Sequence, residues 1–597
     1  MVFRTDRTRS SGALPLLCGL LLIGAIGGCQ HQLRRFPLAP ALWNDPDRNN
    51  VAQSPSKYYS GLIADAMDKL VWRPLARLPY MPLARSAQNV NALDEVPNSS
   101  WFQNRIGHHA LSDAQIALGA CGNGARIDPR QGPWTVIAAK PDGANPGFFI
   151  NTPTGRYLLK FDGKNQPLRA SASDVIGSRI YWAVGYHTPC NEIVYFSPKI
   201  LAISPKATTK NSYGEERPIT PVDVEKVLAA AYRKKDGMLR ALASRFLPGK
   251  PLGPFRYEAR RADDPNDVID HEHRRELRAN RILSAWLNHH DAREQNSLDL
   301  WVTDRGRNYV RHYMIDFGDC FGGRWEFDQL TRRTGHSYLF DIEDVPVDFL
   351  TLGMVPRPWY RAKINEENEI FGYFGIQDFV PSKWKTDYPN AAFIEMDHAD
   401  ALWMARILSR FSDTQIRRMV EQGKLHSKRA EDYLTRTLIG RRDLILKEYL
   451  TRYAPLDRFR LVRRQAGQAT QSLCFEDLAI RSGVVDARAV TYKIRSYGGE
   501  RGEREIGWLQ FQPDPEHPHR SCIQLPLGER RPADLAGPTA PDHAALRYGI
   551  VRIWITQKPS IPPTSSIGIH LYDLGVQRGF RLVGITRPPR PVPSDIF

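Results

Sequence analysis

Residues 287–303 read LNHHDAREQNSLDLWVT, and residues 309–318 read YVRHYMIDFG. Within this stretch Asp291 lies five residues before Asn296, and Asp316 begins an Asp-Phe-Gly triplet. A carboxylate can accept or orient a hydroxyl proton, and carboxylate and amide oxygens are ligands that Mg²⁺ prefers. These three side chains are therefore candidates for a catalytic carboxylate and for metal ligands, if the fold brings them together.

The surrounding sequence predicts a fold that would do so. Residues 272–288 show the apolar periodicity of a helix, and a polar loop follows. Two strand-like runs, Leu298–Thr303 and Tyr309–Ile315, flank the turn-rich residues 304–307. A helix, a loop and a hairpin in this order would place the loop residues and the Asp-Phe-Gly triplet at one end of the hairpin.

Strand-like runs upstream predict a β-rich region. Trp134–Lys140, Phe148–Ile150 and Arg156–Phe161 read as strands joined by turn-rich loops. Gly143 and Gly147 lie in the first of these loops, where glycine would let backbone N–H groups approach phosphates. We therefore expect both glycines to form part of a phosphate-binding loop.

Lys160, in the third of these runs, and Asp174, in a helical run at 170–186, form a second predicted pair. A lysine in a strand is usually solvated, but the position of Lys160 upstream of the other motifs favours a role on phosphates. Asp174 is the acid best placed to pair with it. Asp174 could equally cap the helix, since both roles suit an acid near a helix N-terminus.

Together these motifs resemble the protein-kinase-like superfamily, and in particular its atypical bacterial branches of the HipA and CotH types. The runs RYLLKFDG, NHHDAREQN and MIDFG follow the family order between residue 134 and about residue 450. The resemblance implies ATP with Mg²⁺ or Mn²⁺, with Lys160 on the phosphates, Asp291 in catalysis and Asn296 and Asp316 on the metal. An Ala-Pro-Glu triplet is missing after the Asp-Phe-Gly, so the resemblance does not extend to substrate docking.

The predicted fold class is α+β, with a bilobal kinase-like body and an appended all-β domain. The sequence divides into a lipoprotein signal peptide (1–28), an N-terminal extension (29–130), a β-rich N-lobe (131–220), a helical C-lobe (221–455) and a β-rich C-terminal domain (456–597). Short strand-like runs between Pro- and Gly-rich turns favour a sandwich in the last of these.

The N-terminus resembles a bacterial lipoprotein signal. Three arginines precede an apolar run at 13–26, and the run ends in Ile-Gly-Gly-Cys with Cys29 as the lipidated residue. This resemblance implies a membrane anchor in the cell envelope, and Gln30 fits proteins sorted to the periplasmic face of the outer membrane. A plain secretory signal or an anchor helix is the alternative.

The charge and the cysteines limit the possible partners and the compartment. The formal net charge is +17 at pH 7, but the basic residues form no long runs, so nucleic acid is not an expected partner. In an oxidising compartment Cys121 could pair with Cys190 and Cys474 with Cys522, which leaves Cys320 unpaired.

Three functions remain open. The first is phosphoryl or nucleotidyl transfer to an unknown protein, sugar or lipid acceptor. The second is a kinase-like scaffold without catalysis, favoured only because the periplasm is not expected to hold ATP. The third is a metal-dependent phosphohydrolase of the His-Asp type, built from His271, His273, the His290-Asp291 pair and Asp316. Its all-helical fold conflicts with the strand-like runs, and we expect His271 and His273 to face solvent instead.

Overall fold

The computed structural model describes residues 35–77, 85–124, 126–140, 145–163, 166–210, 215–323, 328–364, 369–462, 470–498, 504–526, 548–557 and 566–587. The predicted signal peptide, the predicted lipidation site Cys29 and Gly143 lie outside the described residues. Within these ranges no helix combines the length and the apolar character needed to cross a bilayer.

The first sheet contains seven strands among the described residues, and one of them carries Lys160, which the sequence predicts to contact phosphates. Its strands are β1 (Trp134–Ala139), β2 (Gly147–Thr152), β3 (Gly155–Phe161), β4 (Asn191–Phe196), β5 (Leu201–Lys210), β6 (Glu216–Pro218) and β7 (Leu239–Arg245). They lie in the order β4-β7-β3-β2-β1-β5-β6, and only the β1–β5 pair is parallel. The sheet thus runs to Arg245, beyond the boundary at residue 220 that the sequence predicts for this region.

The predicted hairpin is confirmed. Strand β8 (Lys250–Gly253) pairs with β9 (Ser297–Asp304), which pairs with β10 (Arg307–Met314) in an unbroken register from Ser297–Met314 to Asp304–Arg307. Arg305 and Gly306 form the turn with φ values of +50° and +76°. Positive φ at both turn residues matches the twist of the flanking strands, which is why this type of turn closes tight hairpins.

Helices supply most of the remaining structure up to residue 452. Those in the described residues are α1 (Leu62–Met67), α2 (Arg73–Arg77), α3 (Asp113–Leu118), α4 (Arg169–Val184), α5 (Pro221–Ala230), α6 (Arg275–Leu287), α7 (Asp328–Arg333), α8 (Asp344–Thr351), α9 (Ala391–Ile394), α10 (His398–Leu408), α11 (Asp413–Glu421) and α12 (Lys428–Arg452). A π-helical turn at Asp68–Trp72 joins α1 to α2, and a 3₁₀ turn at Glu294–Asn296 precedes β9.

Helix α6 lies at the centre of the helical core. Every one of its residues is buried, and its apolar residues pack with those of α4, α10 and α12. Its polar face is buried as well, because Arg275 and Arg278 contact the Asp400 carboxylate at 3.1 and 3.5 Å. The loop that leaves α6 therefore starts from a rigid position.

The expectation that His271 and His273 face solvent is wrong. Both side chains are buried, because His271 contacts Asp267 at 2.7 Å and the guanidinium of Arg278 lies 2.8 Å from His273 Nδ1. Within the described residues, the groups of side chains close enough to share a metal ion include neither histidine. These two histidines are structural, which removes support from the phosphohydrolase hypothesis.

The C-terminal region contains two antiparallel sheets among the described residues. Their strands are β11 (Leu456–Val462), β12 (Thr470–Asp477), β13 (Val490–Gly498), β14 (Arg504–Phe511), β15 (Arg520–Pro526), β16 (Tyr548–Gln557), β17 (Ile567–Asp573) and β18 (Phe580–Thr586), with short helices α13 (Leu478–Arg481) and α14 (Gly575–Arg578). The sheets have the orders β11-β12-β15 and β14-β13-β16-β17-β18, and their facing side chains share one apolar core. The chain is thus a mixed α+β protein with β sheets near its C-terminus.

Both predicted disulfides are confirmed. Cys121 is bonded to Cys190, and Cys474 is bonded to Cys522 between the neighbouring strands β12 and β15. Cys320 is the remaining thiol of the described residues and is buried.

Candidate functional site

Strand β3 presents Lys160 to two carboxylates. Lys160 is buried, and its Nζ lies 3.2 Å from Asp174 Oδ2 and 2.8 Å from Asp316 Oδ1. Burial by itself would lower the pKa of Lys160, but the two carboxylates outweigh this effect and raise it. The lysine is therefore a fixed positive charge between α4 and the segment that follows β10.

The position of Asp174 decides between its two predicted roles. Helix α4 begins at Arg169, so Asp174 lies in the second turn, and no side chain caps the helix. Its Oδ2 accepts from Lys160 while its Oδ1 accepts from the backbone N–H of Phe317 at 2.8 Å. Burial raises the pKa of Asp174 to about 6, although Lys160 opposes the shift. The capping role is excluded, and the ion pair is present.

Asp316 joins the lysine to the hairpin. Its φ is +56°, a conformation that non-glycine residues seldom adopt. The next residue, Phe317, is fully buried against α4, where a Cβ on Gly177 would lie only 2.6 Å from the Phe317 side chain. This close approach of helix and loop directs Asp316 toward Lys160. The Asp316 side chain remains 42% exposed, so it can still bind a ligand from solvent.

The start of the hairpin brings Asn296 and Asp291 together. The Nδ2 of Asn296 donates to the backbone oxygen of Asp291 at 2.7 Å and to its Oδ2 at 3.0 Å. The backbone N–H of Ile315 donates to the backbone oxygen of Asn296 at 3.1 Å, so Asp316 lies one residue from this contact. Asp291, Asn296, Asp316 and Lys160 are therefore connected in space, as the sequence motifs predict.

Asp319 also belongs to this site, although the sequence motifs do not predict it. It accepts from the backbone N–H of Asp291 at 2.9 Å, and its other oxygen lies 2.6 Å from His289 Nδ1. His290 contacts Asp387 at 2.8 Å. A sequence signal existed, because Asp319 directly follows the Asp-Phe-Gly triplet and two histidines precede Asp291. Asp319 thus fixes the loop of Asp291 to the loop of Asp316.

The site concentrates groups with shifted pKa values. Burial, together with the nearby Asp319 charge, raises the pKa of Asp291 to about 6. Burial alone would raise the pKa of Asp319, but His289 and His290 outweigh it and lower that pKa. Burial alone would also lower the pKa of His290, but the Asp387 carboxylate raises it to about 9. Such clusters of perturbed groups are typical of functional sites, although structural ion pairs produce them too.

Gly147 has a packing reason to be glycine. It lies within β2 opposite Lys160, and an added Cβ would stand 2.1 Å from the backbone oxygen of Leu159. The backbones of β2 and β3 approach each other too closely there for any side chain. The other predicted loop glycine, Gly143, is outside the described residues, so a phosphate-binding loop stays a prediction.

The N-terminal segment also contacts the loop between Asp291 and Asn296, which the sequence does not indicate. Lys69 Nζ lies 3.0 Å from Glu294 and 3.1 Å from Asp65. Gln295 Nε2 donates to Ser60 Oγ at 2.7 Å and to Asp65 at 3.2 Å. Helix α1 and the residues around it therefore support the two residues that directly precede Asn296.

The donor atoms fit a hard divalent cation. Asn296 uses its side-chain nitrogen Nδ2 for both hydrogen bonds to Asp291. Its side-chain oxygen Oδ1 is therefore left as a potential metal ligand. Asp316 contributes a carboxylate of which one oxygen contacts Lys160 and which is partly exposed. An amide oxygen and a carboxylate, with the remaining positions open to water or phosphate, suit Mg²⁺ or Mn²⁺.

Comparisons with known proteins give weak similarities only. No protein-family model and no curated protein matches the chain. The crystal structure of the Helicobacter pylori proinflammatory kinase CtkA is similar over 55% of this chain and 96% of its own, at 12% identity and a TM-score of 0.27. The crystal structure of the Golgi casein kinase is similar over 70% of this chain and 96% of its own, at 10% identity and the same TM-score. Both are kinases, but the scores are too low to assign a fold or a reaction to this chain.

Proposed function

We propose that this chain is a kinase-like phosphotransferase that uses ATP with Mg²⁺ or Mn²⁺ and is anchored in the cell envelope through a lipidated Cys29. The observation that carries the catalytic part is the connected set of Lys160, Asp316, Asn296 and Asp291, which joins strand β3 to the residues at the two ends of the β9–β10 hairpin. Nucleotide phosphoryl transfer needs a cation on the phosphates, metal ligands and an acid at the acceptor hydroxyl. Each of these groups has a counterpart in this set.

Lys160, Asn296 and Asp316 would bind the nucleotide. Lys160 is a buried cation held by two acids, so its charge is already in place for the phosphates. Asn296 and Asp316 would hold the metal ion, which neutralises the charge that develops on the transferred phosphoryl group. The carboxylate of Asp174 would keep Lys160 in place when Asp316 turns toward the metal.

Asp291 would accept or orient the proton of the acceptor hydroxyl. Its pKa of about 6 leaves most of the carboxylate ionised at neutral pH. Asn296 and the Asp319 contact to its backbone hold it in place. The acceptor, whether protein, sugar or lipid, would approach the exposed side of this carboxylate.

A scaffold without catalysis is the second candidate, and one observation favours it. Both carboxylate oxygens of Asp291 are engaged, Oδ1 with Arg293 Nε at 2.6 Å and Oδ2 with Asn296 at 3.0 Å. An acceptor hydroxyl would have to compete with Arg293 for the same carboxylate. A silent site would keep this arrangement permanently.

Nucleotide binding is tested by thermal unfolding of a chain that begins at Gln30, titrated with ATP and Mg²⁺ or Mn²⁺. A ligand that binds only the native state raises the melting temperature. We expect a metal-dependent rise that Asp316→Asn removes and that the exposed control Asp236→Asn retains. If neither ATP nor other nucleotides shift the melting temperature, the scaffold is the better description.

Catalysis is tested separately with γ-labelled ATP and a lysate as the source of acceptors. Asp291→Ala should keep the metal-dependent thermal shift and lose label transfer. If Asp291→Ala loses nucleotide binding while staying folded, the role assigned to Asp291 is wrong. Anchoring is tested by mass spectrometry of the mature N-terminus and by the membrane fraction of Cys29→Ala, which should lose its envelope attachment.

A further inference from the structure

Helix α8 and the residues after it expose an unusual number of large apolar side chains. Phe349, Leu350, Leu352 and Met354 are 79%, 80%, 84% and 77% exposed. Soluble surfaces seldom carry contiguous apolar patches of this kind unless they contact a partner or a membrane. We define residues 344–363 as the α8 segment.

Helix α8 buries none of its residues, and its ion pairs join it to an arginine of the same segment. Arg357 lies against it and binds the carboxylate of Asp344 at 2.6 Å and that of Asp348. These two acids are one turn apart, so they share one face of the helix. Val345 and Phe349 share another face, and both are exposed. A helix on a water-facing surface normally buries its apolar face, whereas α8 leaves its apolar side chains exposed.

We propose that the α8 segment docks into the surface of an anionic phospholipid bilayer. Four side chains near 80% exposure project from the surface, so a protein partner would need a deep groove to cover them, whereas the acyl boundary of a bilayer can surround them. Tyr360, in the same segment, is also exposed, and tyrosine is enriched at the membrane interface.

The basic side chains of the α8 segment also favour an anionic bilayer. Arg361 and Lys363 are exposed at the end of the segment, and neither makes an ion pair within the described residues. Lysine and arginine next to an apolar insertion site attract anionic headgroups. Residues 1–28 carry only three arginines and one acid of a sequence whose formal net charge is +17, so the chain without them stays strongly basic and is attracted to an anionic bilayer at long range.

The segment is also connected to the candidate active site. Lys385 lies 2.9 Å from both Asp341 and Glu343, directly before α8. Two residues later, Asp387 contacts the His290 ring at 2.8 Å, and its backbone N–H donates to the His290 oxygen at 2.9 Å. A bilayer bound at α8 would therefore contact an element that is linked to the loop of Asp291.

The test is co-sedimentation of the chain that begins at Gln30, which contains every described residue and no lipidated cysteine. The probes are vesicles of phosphatidylcholine alone and of phosphatidylcholine with phosphatidylglycerol. We expect binding to the anionic vesicles. The triple variant Phe349→Ser/Leu350→Ser/Leu352→Ser should partition at least about tenfold less, because each inserted methylene contributes to binding.

Two matched variants sharpen the result. Trp508→Ser/Leu509→Ser removes exposed apolar side chains from β14 and should bind like the native chain. Arg361→Ala/Lys363→Ala should weaken binding to the anionic vesicles only. The substituted side chains are exposed, so melting temperatures should stay unchanged and exclude misfolding.

Equal binding by the triple variant, or no binding by the native chain, would overturn the proposal. A native dimer that the triple variant dissociates, without vesicle binding, would assign the patch to a second copy of the chain instead. Because none of these measurements uses a nucleotide, failure of the phosphotransferase proposal would leave this result unaffected.

Discussion

Lys160 Nζ lies 2.8 Å from Asp316 Oδ1, although 156 residues separate the two in the sequence. This ion pair links the first sheet to the end of the hairpin that holds Asn296. Because Lys160 also contacts Asp174, one buried cation connects β3, α4 and the Asp-Phe-Gly segment. The geometry of the candidate site depends on this three-way contact, which makes it the first target for mutation.

Removal of the Lys160 charge should destabilise the protein. Lys160→Met leaves the buried Asp174 without its cation, and breaking one side of a buried pair costs about 3 kcal/mol or more. The double variant Lys160→Met/Asp174→Asn should recover part of this loss, since no uncompensated charge remains. Denaturant unfolding of the two single variants and the double variant measures the coupling. Strictly additive effects would show that the pair contributes nothing to stability.

Loss of the Asp319 carboxylate should reduce turnover more than nucleotide binding. Asp319 holds the backbone of Asp291 and the ring of His289, so Asp319→Asn should misplace Asp291. A small misplacement of a catalytic group can cost about a hundredfold in rate. We expect kcat to fall and the KM for ATP to change little. A change confined to KM would place Asp319 at the nucleotide instead.

His290 should make stability depend on pH in the alkaline range. Its folded pKa of about 9 lies above the value of 6.5 expected for the unfolded chain. The stabilisation is complete below pH 6.5 and is lost as the pH rises through about 9. The loss could reach about 3 kcal/mol, at 1.36 kcal/mol for each pKa unit. The free energy of unfolding should be measured against pH for the native chain and for Asp387→Asn, which lacks the partner carboxylate, so that the contribution of other groups cancels. Parallel curves for the two proteins would contradict this prediction.

The five cysteines of the described residues should fall into two classes, four in disulfides and one as a protected thiol. In the chain that begins at Gln30, peptide mapping without reduction should recover the Cys121–Cys190 and Cys474–Cys522 pairs. Cys320 should resist a thiol reagent in the native protein and react after denaturation, because it is buried and burial raises its pKa. Rapid labelling of Cys320 in the native state would indicate that α4 and the Asp-Phe-Gly segment separate readily.

Gly147→Ala tests whether this glycine serves packing. The added Cβ would approach the Leu159 oxygen to 2.1 Å, so β2 and β3 would have to separate. We expect a loss of about 1–3 kcal/mol in the free energy of unfolding, as for other overpacked positions. Gly163→Ala is the control, because its Cβ would meet no atom within 4 Å. Unchanged stability in Gly147→Ala would return this position to the predicted phosphate loop.

Much of the local structure follows from the sequence. The periodicity around residue 280 predicts α6, and the turn residues near 305 predict the β9–β10 hairpin, because both depend on neighbours within a few positions. The spacing of Asp291, Asn296 and Asp316 is also local, since one hairpin brings them together. Hence the sequence identifies the part of the candidate site that contains Asp291, Asn296 and Asp316.

The long-range contacts depend on tertiary structure. Whether Asp174 caps α4 or pairs with Lys160 depends on how α4 packs against β3, and a helix pattern does not contain that information. The burial of His271 has the same origin, since its ring packs against that of Trp101 from a distant part of the chain. Sequence periodicity reports which residues share a face, whereas only packing decides which face is buried and which charges meet.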